Sequence, residues 1–157
     1  MEADRSIIEK VLALIPQQAP FRFIDDIVEI DEDHVVGTYR FREDEYFYRG
    51  HFPQRPVTPG VILLETMAQT GIVALGIYLL LKEGNSPEEI SRMGTLFATA
   101  DGVEFDHPVF PGERVVVRGR KVYMRRGSLK ADITLEKEKG QIVCSGTLAG
   151  KGVSFDE

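Results

Sequence analysis

His51 and Glu65 are the residues of this chain whose types and spacing could do chemistry. They bracket the stretch His51-Phe52-Pro53-Gln54-Arg55-Pro56-Val57-Thr58-Pro59-Gly60-Val61-Ile62-Leu63-Leu64-Glu65. An imidazole can take a proton near neutral pH, and a carboxyl kept protonated by burial can give one. Together they are the usual acid/base pair of proton-transfer chemistry. Each residue also has a plainer reading. A lone buried Glu is more often held in an ion pair, since structural pairs perturb pKa values as well. A lone His is more often solvated or structural. Their occurrence fourteen residues apart, at the mouth and on the first turns of one apolar segment, favours catalysis. The other two histidines lack such company: His34 lies in the polar run Asp31-Glu32-Asp33-His34, and His107 precedes Pro108 at a strand end.

The segments around the pair must position it. Pro53, Pro56 and Pro59 fix three φ angles and forbid a helix before residue 59. Thr58 is the expected N-cap, with Pro59 at the first helical position. The residues from Gly60 to Leu81 are then almost wholly apolar, and Lys82-Glu83-Gly84 supply a charged last turn and a stop. Pro59 to Lys82 makes a helix of roughly 36 Å at about 1.5 Å per residue. A helix apolar nearly all round either spans a membrane or is wrapped by protein. Glu65, Thr66, Gln69 and Thr70 interrupt the run and no basic flank precedes it, so a central core helix is expected and no membrane span. Glu65 and Gln69, four apart, share one face, so Gln69 could orient the carboxyl. Burial there raises a carboxyl pKa. Free N–H groups at the helix start, near Gly60 and Val61, could meet a carbonyl oxygen on which negative charge develops.

The remaining sequence predicts an α+β domain. Ser6 with Glu9 reads as a capping box opening a short helix that Pro16 ends. Strand patterns run over 23–30 and 35–42, separated by the polar turn Asp31-Glu32-Asp33. Asn85-Ser86-Pro87-Glu88-Glu89 reads as a surface loop. Strands follow over 94–105, 113–125, 128–137 and 141–149, with hairpin turns at Arg126-Gly127 and Lys139-Gly140. Strands before and after one central helix predict an antiparallel sheet wrapped round it. The 157 residues suffice for one domain, with 151–157 read as a loose tail. The single cysteine, Cys144, excludes an internal disulfide and suits a reducing compartment. The acidic opening Met1-Glu2-Ala3-Asp4-Arg5 does not read as a secretory segment, so a cytoplasmic location is expected. A net charge of −6 argues against nucleic-acid partners.

The motif His51-Phe52-Pro53-x-x-Pro56-Val57-x-Pro59-Gly60-Val61-x-x-x-Glu65-x-Met67-Ala68-Gln69 resembles the signature of the FabZ-type 3-hydroxyacyl-[acyl-carrier-protein] dehydratases. The resemblance extends over roughly residues 12 to 150. It includes Ile15-Pro16, Pro20-Phe21-x-Phe23-Ile24-Asp25, Phe97-Ala98-x-x-Asp101-x-Val103-Glu104-Phe105 and Pro108-Val109-x-Pro111-Gly112-Glu113. It implies the hotdog fold. It also implies dehydration of a (3R)-hydroxyacyl thioester to the trans-2-enoyl thioester. His51 would be the base, Glu65 the acid, Gly60 and Val61 the carbonyl-binding segment, and Gln69 the residue orienting Glu65. Phe52, Pro59, Met67, Leu96 and Phe97 would line an acyl tunnel. The partner implied is acyl carrier protein, itself acidic, and Arg120, Lys121, Arg125 and Arg126, with Arg118 and Lys130 near them, are a candidate docking patch. A solvated strand face is the plainer reading of that patch. No metal or cofactor is implied, and the sequence holds no cluster of metal-ligand residues. The family pairs His and Glu from two subunits, which implies a homodimer at least, and six-subunit assemblies are common there.

The chain departs from the pattern at three places. Gln17-Gln18 stands where the family has His-Arg, Thr58 where it has Met, and Leu96 lies where a tyrosine often gates the tunnel. FabA-type relatives carry Asp at the place of Glu65 and lack the Phe-Pro pair, so the match is to the FabZ side. Three further readings stay open: an acyl thioesterase on the same fold, a dehydratase of a specialised polyketide or polyene pathway, and a non-catalytic acyl-binding module.

Overall fold

The computed structural model describes residues 4–155. Helix α1 (Arg5–Leu14) is followed by strands β1 (Asp26–Ile30) and β2 (His34–Arg40) and a single 3-10 turn at Tyr46–Arg49. The central helix α2 (Gly60–Lys82) comes next. The short helix α3 (Pro87–Ser91) leads into β3 (Met93–Phe105), β4 (Arg114–Arg125), β5 (Ser128–Lys137) and β6 (Ile142–Ser154). All strand pairs are antiparallel, in the order β1-β2-β4-β5-β6-β3. The α+β architecture is the expected one, a sheet curved around one long helix.

Helix α2 is long and apolar enough to cross a membrane by length and composition, but most of it is buried inside the protein. Met67, Ala74 and Leu75 are fully buried, as are Val35, Val117 and Leu135 on the facing strands. Helix and sheet touch almost backbone to backbone: a Cβ on Gly119 of β4 would stand 3.1 Å from the Cα of Gly71. From Gln69 to Ala74 the helix widens into a π turn before resuming at Leu75. Such a turn accommodates one surplus residue and occurs often beside functional sites.

Four local readings are corrected. Helix α1 is capped by Asp4, whose carboxylate accepts from the Ile7 N–H, and not by Ser6. Helix α2 starts one residue later than expected, with Pro59 as its N-cap. The 85–89 loop contains the start of α3, closed by a capping box in which Ser86 and Glu89 satisfy each other's backbone N–H. The expected tail at 151–154 is the end of β6, in register with β3 from Met93↔Ser154 to Leu96↔Lys151. Residues 156–157 lie outside the described residues. Both hairpins form as expected. Arg126 and Gly127 take φ of 51° and 76°, the double positive φ of a type I′ turn, and Gly140 takes 92°.

Candidate active site

His51 is carried by the loop between the 3-10 turn and α2. Its N–H donates to the Phe47 carbonyl at 3.1 Å, and its carbonyl accepts from the Val57 N–H at 2.9 Å. Its ring nitrogen Nδ1 lies 2.9 Å from the Val57 carbonyl oxygen. A carbonyl can only accept, so Nδ1 carries the proton and Nε2 keeps a lone pair, as a base requires. The Phe52 ring stacks on the imidazole at 4.1 Å across a cis His51–Phe52 peptide.

Thr58 does not cap α2. It is buried, and its hydroxyl meets the Tyr48 hydroxyl at 2.7 Å. A buried phenol needs a polar partner. The pair ties the residues before His51 to those after it. Burial pushes the Tyr48 pKa up to about 12, against the pull of this hydrogen bond, so the phenol stays neutral. The Thr58 N–H donates to the Val109 carbonyl at 2.8 Å, which fixes the neighbouring Val57 carbonyl that holds the imidazole. At the start of α2 no backbone acceptor among the described residues pairs with the N–H groups of Gly60 and Val61. The Phe105 ring covers Gly60, where a Cβ would stand 3.2 Å from its edge.

Glu65 is half-buried, and burial pushes its pKa above the usual carboxylate value, against the pull of one hydrogen bond from Gln69. Gln69 is fully buried and leaves no doubt about its orientation. Its Nε2 donates to Glu65 Oε2 at 2.9 Å and to the Phe21 carbonyl at 2.9 Å, and its Oε1 accepts from the Phe23 N–H at 2.7 Å. The expected orienting role of Gln69 therefore has its geometry.

Glu65 opens into a cavity also lined by Gln17, Thr95, Leu96, Phe97 and Gly150. A second, mostly apolar cavity shares Ile72, Val73, Thr95 and Gly150 with it and continues along α2 past Gly76 and Ile77 to Leu80, Ile90 and Met93. Of the expected tunnel residues, Leu96 and Phe97 line the first cavity. Met67 is fully buried in the core, Phe52 stacks on His51, and Pro59 ends the loop; none of the three lines either cavity. Gln17, Thr95 and Gly150 were not among the expected lining residues. Ile72 and Gly76 follow Glu65 on α2 and could be found from helical spacing, whereas Gly150 depends on the β3–β6 register.

His51 does not line the Glu65 cavity, and among the described residues no hydrogen bond joins the two. The basic residues on β4 and β5 fall into two groups. Arg118 pairs with Glu136 at 2.9 Å, and Arg120 lies 3.9 Å from Asp132. Near the β4–β5 turn, Arg125 sits 4.3 Å over the Tyr123 ring and Lys130 6.0 Å from it. Among the described residues no carboxylate pairs with Arg125, Arg126 or Lys130.

A family model described as the FabA-like domain matches residues 15–146. The chain belongs to the FabA-like family. Within that family it is 39% identical over 142 residues to a 3-hydroxyacyl-[acyl-carrier-protein] dehydratase FabZ of Roseiflexus sp. (strain RS-1), covering 90% of this chain and 92% of the relative. It is 36% identical over 142 residues to the FabZ of Caldicellulosiruptor bescii, covering 90% and 94%. Among solved structures it resembles the dehydratase heterocomplex ApeI:P from Xenorhabdus doucetiae, with a TM-score of 0.77 over 94% of this chain and 93% of that one. Identity there is 14%, so this likeness concerns the fold alone. The FabA-like fold is also shared, more loosely, with a thioesterase from Haemophilus influenzae at a TM-score of 0.57 and 17% identity, covering 84% of this chain and 80% of that one.

Proposed function

We propose that this FabA-like chain is a hydro-lyase that dehydrates (3R)-hydroxyacyl-acyl carrier protein to the trans-2-enoyl product, in fatty-acid or related acyl-chain synthesis. The observation that carries the reading is the presence of two opposed proton groups in one fold: an imidazole whose Nε2 has no hydrogen-bond partner among the described residues, and a carboxyl whose pKa burial raises. His51 Nε2 takes the α-proton. The thioester carbonyl, accepting hydrogen bonds from the N–H groups of Gly60 and Val61, holds the charge that develops. The C3–O bond then breaks as Glu65 gives its proton to the leaving hydroxyl. Water departs, and solvent returns the proton from the imidazolium to the carboxylate. The acyl chain runs from the Glu65 cavity into the apolar cavity beside α2.

His51 of one protomer serves Glu65 of the other in this reading. That the two residues share neither a cavity nor a hydrogen bond within one chain supports it, as does β3, which among the described residues pairs only with β6 and shows exposed Leu96, Phe97 and Phe105 along its length. An edge strand of that length with apolar side chains favours pairing with another chain. A dimer is thus the smallest working unit; a hexamer would be three of these. Acyl carrier protein docks on Arg125 and Arg126, with Arg120 and Lys121 further along β4. The buried, unpaired Cys144 suits the cytoplasm, where the carrier-bound intermediates are expected.

The test is reversible dehydration of a 3-hydroxyacyl thioester followed by the absorbance of the conjugated enoyl group. His51→Ala and Glu65→Gln should each lower kcat by about 10²–10⁴-fold, the usual contribution of a positioned acid or base. Activity that survives in both variants would remove the elimination reading.

A further inference from the structure

Gln17 follows Pro16 in the extended segment after α1. Its side-chain oxygen Oε1 is buried and has no hydrogen-bond partner among the described residues. A buried amide oxygen is normally paired, and one left unpaired costs free energy that folding does not recover. This oxygen belongs to a residue that lines the same cavity as Glu65. The segment that carries it is not loose. Gln18 Nε2 donates to the Ile15 carbonyl at 3.0 Å, and the Phe21 N–H donates to the Gln18 carbonyl at 2.8 Å. The Phe21 carbonyl then accepts from Gln69 Nε2, the same group that holds Glu65. One buried amide thus fastens both the Gln17 segment and the Glu65 carboxyl. The resemblance places a histidine where Gln17 stands. An imidazole can donate or carry charge, whereas an amide oxygen only accepts.

We propose that Gln17 binds the substrate, its Oε1 accepting the hydrogen bond of the 3-hydroxyl group that is about to leave. The inference rests on the dehydratase reading and names a contact within it. With its hydrogen on Gln17, the hydroxyl oxygen turns a lone pair to the Glu65 proton. When the C3–O bond breaks, the oxygen leaves with its own hydrogen and the one from Glu65. The resulting water has one O–H on Gln17 Oε1 and the other on the Glu65 carboxylate, now an acceptor. In the reverse direction the same two acceptors hold water against C3 of the enoyl thioester. The enoyl product has no hydroxyl, so Oε1 is again without a partner once water has gone, and Gln17 favours the hydroxyacyl form over the enoyl form.

The experiment separates this contact from cavity shape. In a His51→Ala background, where turnover is slowed, calorimetry compares a 3-hydroxyacyl pantetheine thioester with the saturated thioester of equal length. Gln17→Leu should weaken the hydroxyacyl ligand about tenfold, the effect of losing one buried hydrogen bond, and leave the saturated ligand unchanged. Gln17→Met, unbranched like glutamine, should do the same and covers a leucine that misfits. Both variants should also melt about 2–4 °C higher without ligand, because the unpaired acceptor is gone. Equal weakening of both ligands, no weakening of either, or a lower melting temperature in both variants would overturn the inference. Failure of the dehydratase reading shows elsewhere, as a parent protein that turns over no 3-hydroxyacyl thioester, because hydroxyl discrimination is read here without turnover.

Discussion

At the scale of residues, the Glu65 carboxyl works against the fold that holds it. Glu65 has a raised pKa because burial disfavours its charged form. Burying that charge destabilises the folded state above the raised pKa, and the penalty vanishes below the ordinary value of 4.5. Glu65→Gln should therefore melt higher than the parent at neutral and alkaline pH, with the difference fading as pH falls toward 4.5, while the same change lowers kcat. Thermal scans across that range check the sign, and a melting difference independent of pH would contradict it. The candidate pair stood out in the sequence because a carboxyl is costly on an apolar helix and a histidine stands at its mouth. Gln17 was legible only as a departure from the family pattern, since its meaning depends on an oxygen left unpaired in a cavity. Thr58 was misread for a related reason: its hydroxyl could cap a helix or meet a buried phenol, and only packing decides which.

At the scale of elements, α2 supplies, in the proposed function, both the acid and one wall of the chain-binding space. Gly76 faces that space, and a Cβ there would meet only the Leu129 side chain at 3.7 Å. A helix-interior glycine gives up about 0.5–1 kcal/mol relative to alanine, so an open wall at this place has a stability cost. Gly76→Leu should cut kcat/KM for long-chain substrates while sparing short ones, measured across a series of thioester lengths. A uniform loss would show that the acyl chain does not reach this part of the helix. The strands were legible because their hydrophobic alternation and turn residues agree. Residues 151–154 were not, because Lys151-Gly152-Val153-Ser154 carries no alternation and is held by its backbone ladder to β3.

For the molecule as a whole, charge and shape divide the surface by task. The overall charge is negative, yet among the described residues Arg125 and Arg126 have no carboxylate partner beside the β4–β5 turn. Arg125→Glu with Arg126→Glu should raise KM for a substrate linked to acyl carrier protein and leave a small thioester analogue unaffected. Equal effects on both would locate docking elsewhere. The order of strand and helix patterns announced the α+β class. It did not announce which basic residues are neutralised, because Arg118 and Arg120 meet Glu136 and Asp132 only through the β4–β5 register.

The π turn in the central helix gives the whole arrangement a common bearing. At 3.6 residues per turn, an unbroken α-helix would carry Ile77 and Leu80 about 120° and 60° around the axis from Glu65. The wider turn at Gln69–Ala74 winds part of that drift back, and two of its residues, Ile72 and Val73, line both the Glu65 cavity and the apolar cavity beside α2. In the proposed function, substrate preference can therefore change by altering the count of residues in one turn. Such a change re-aims half a helix without replacing any side chain that touches the substrate.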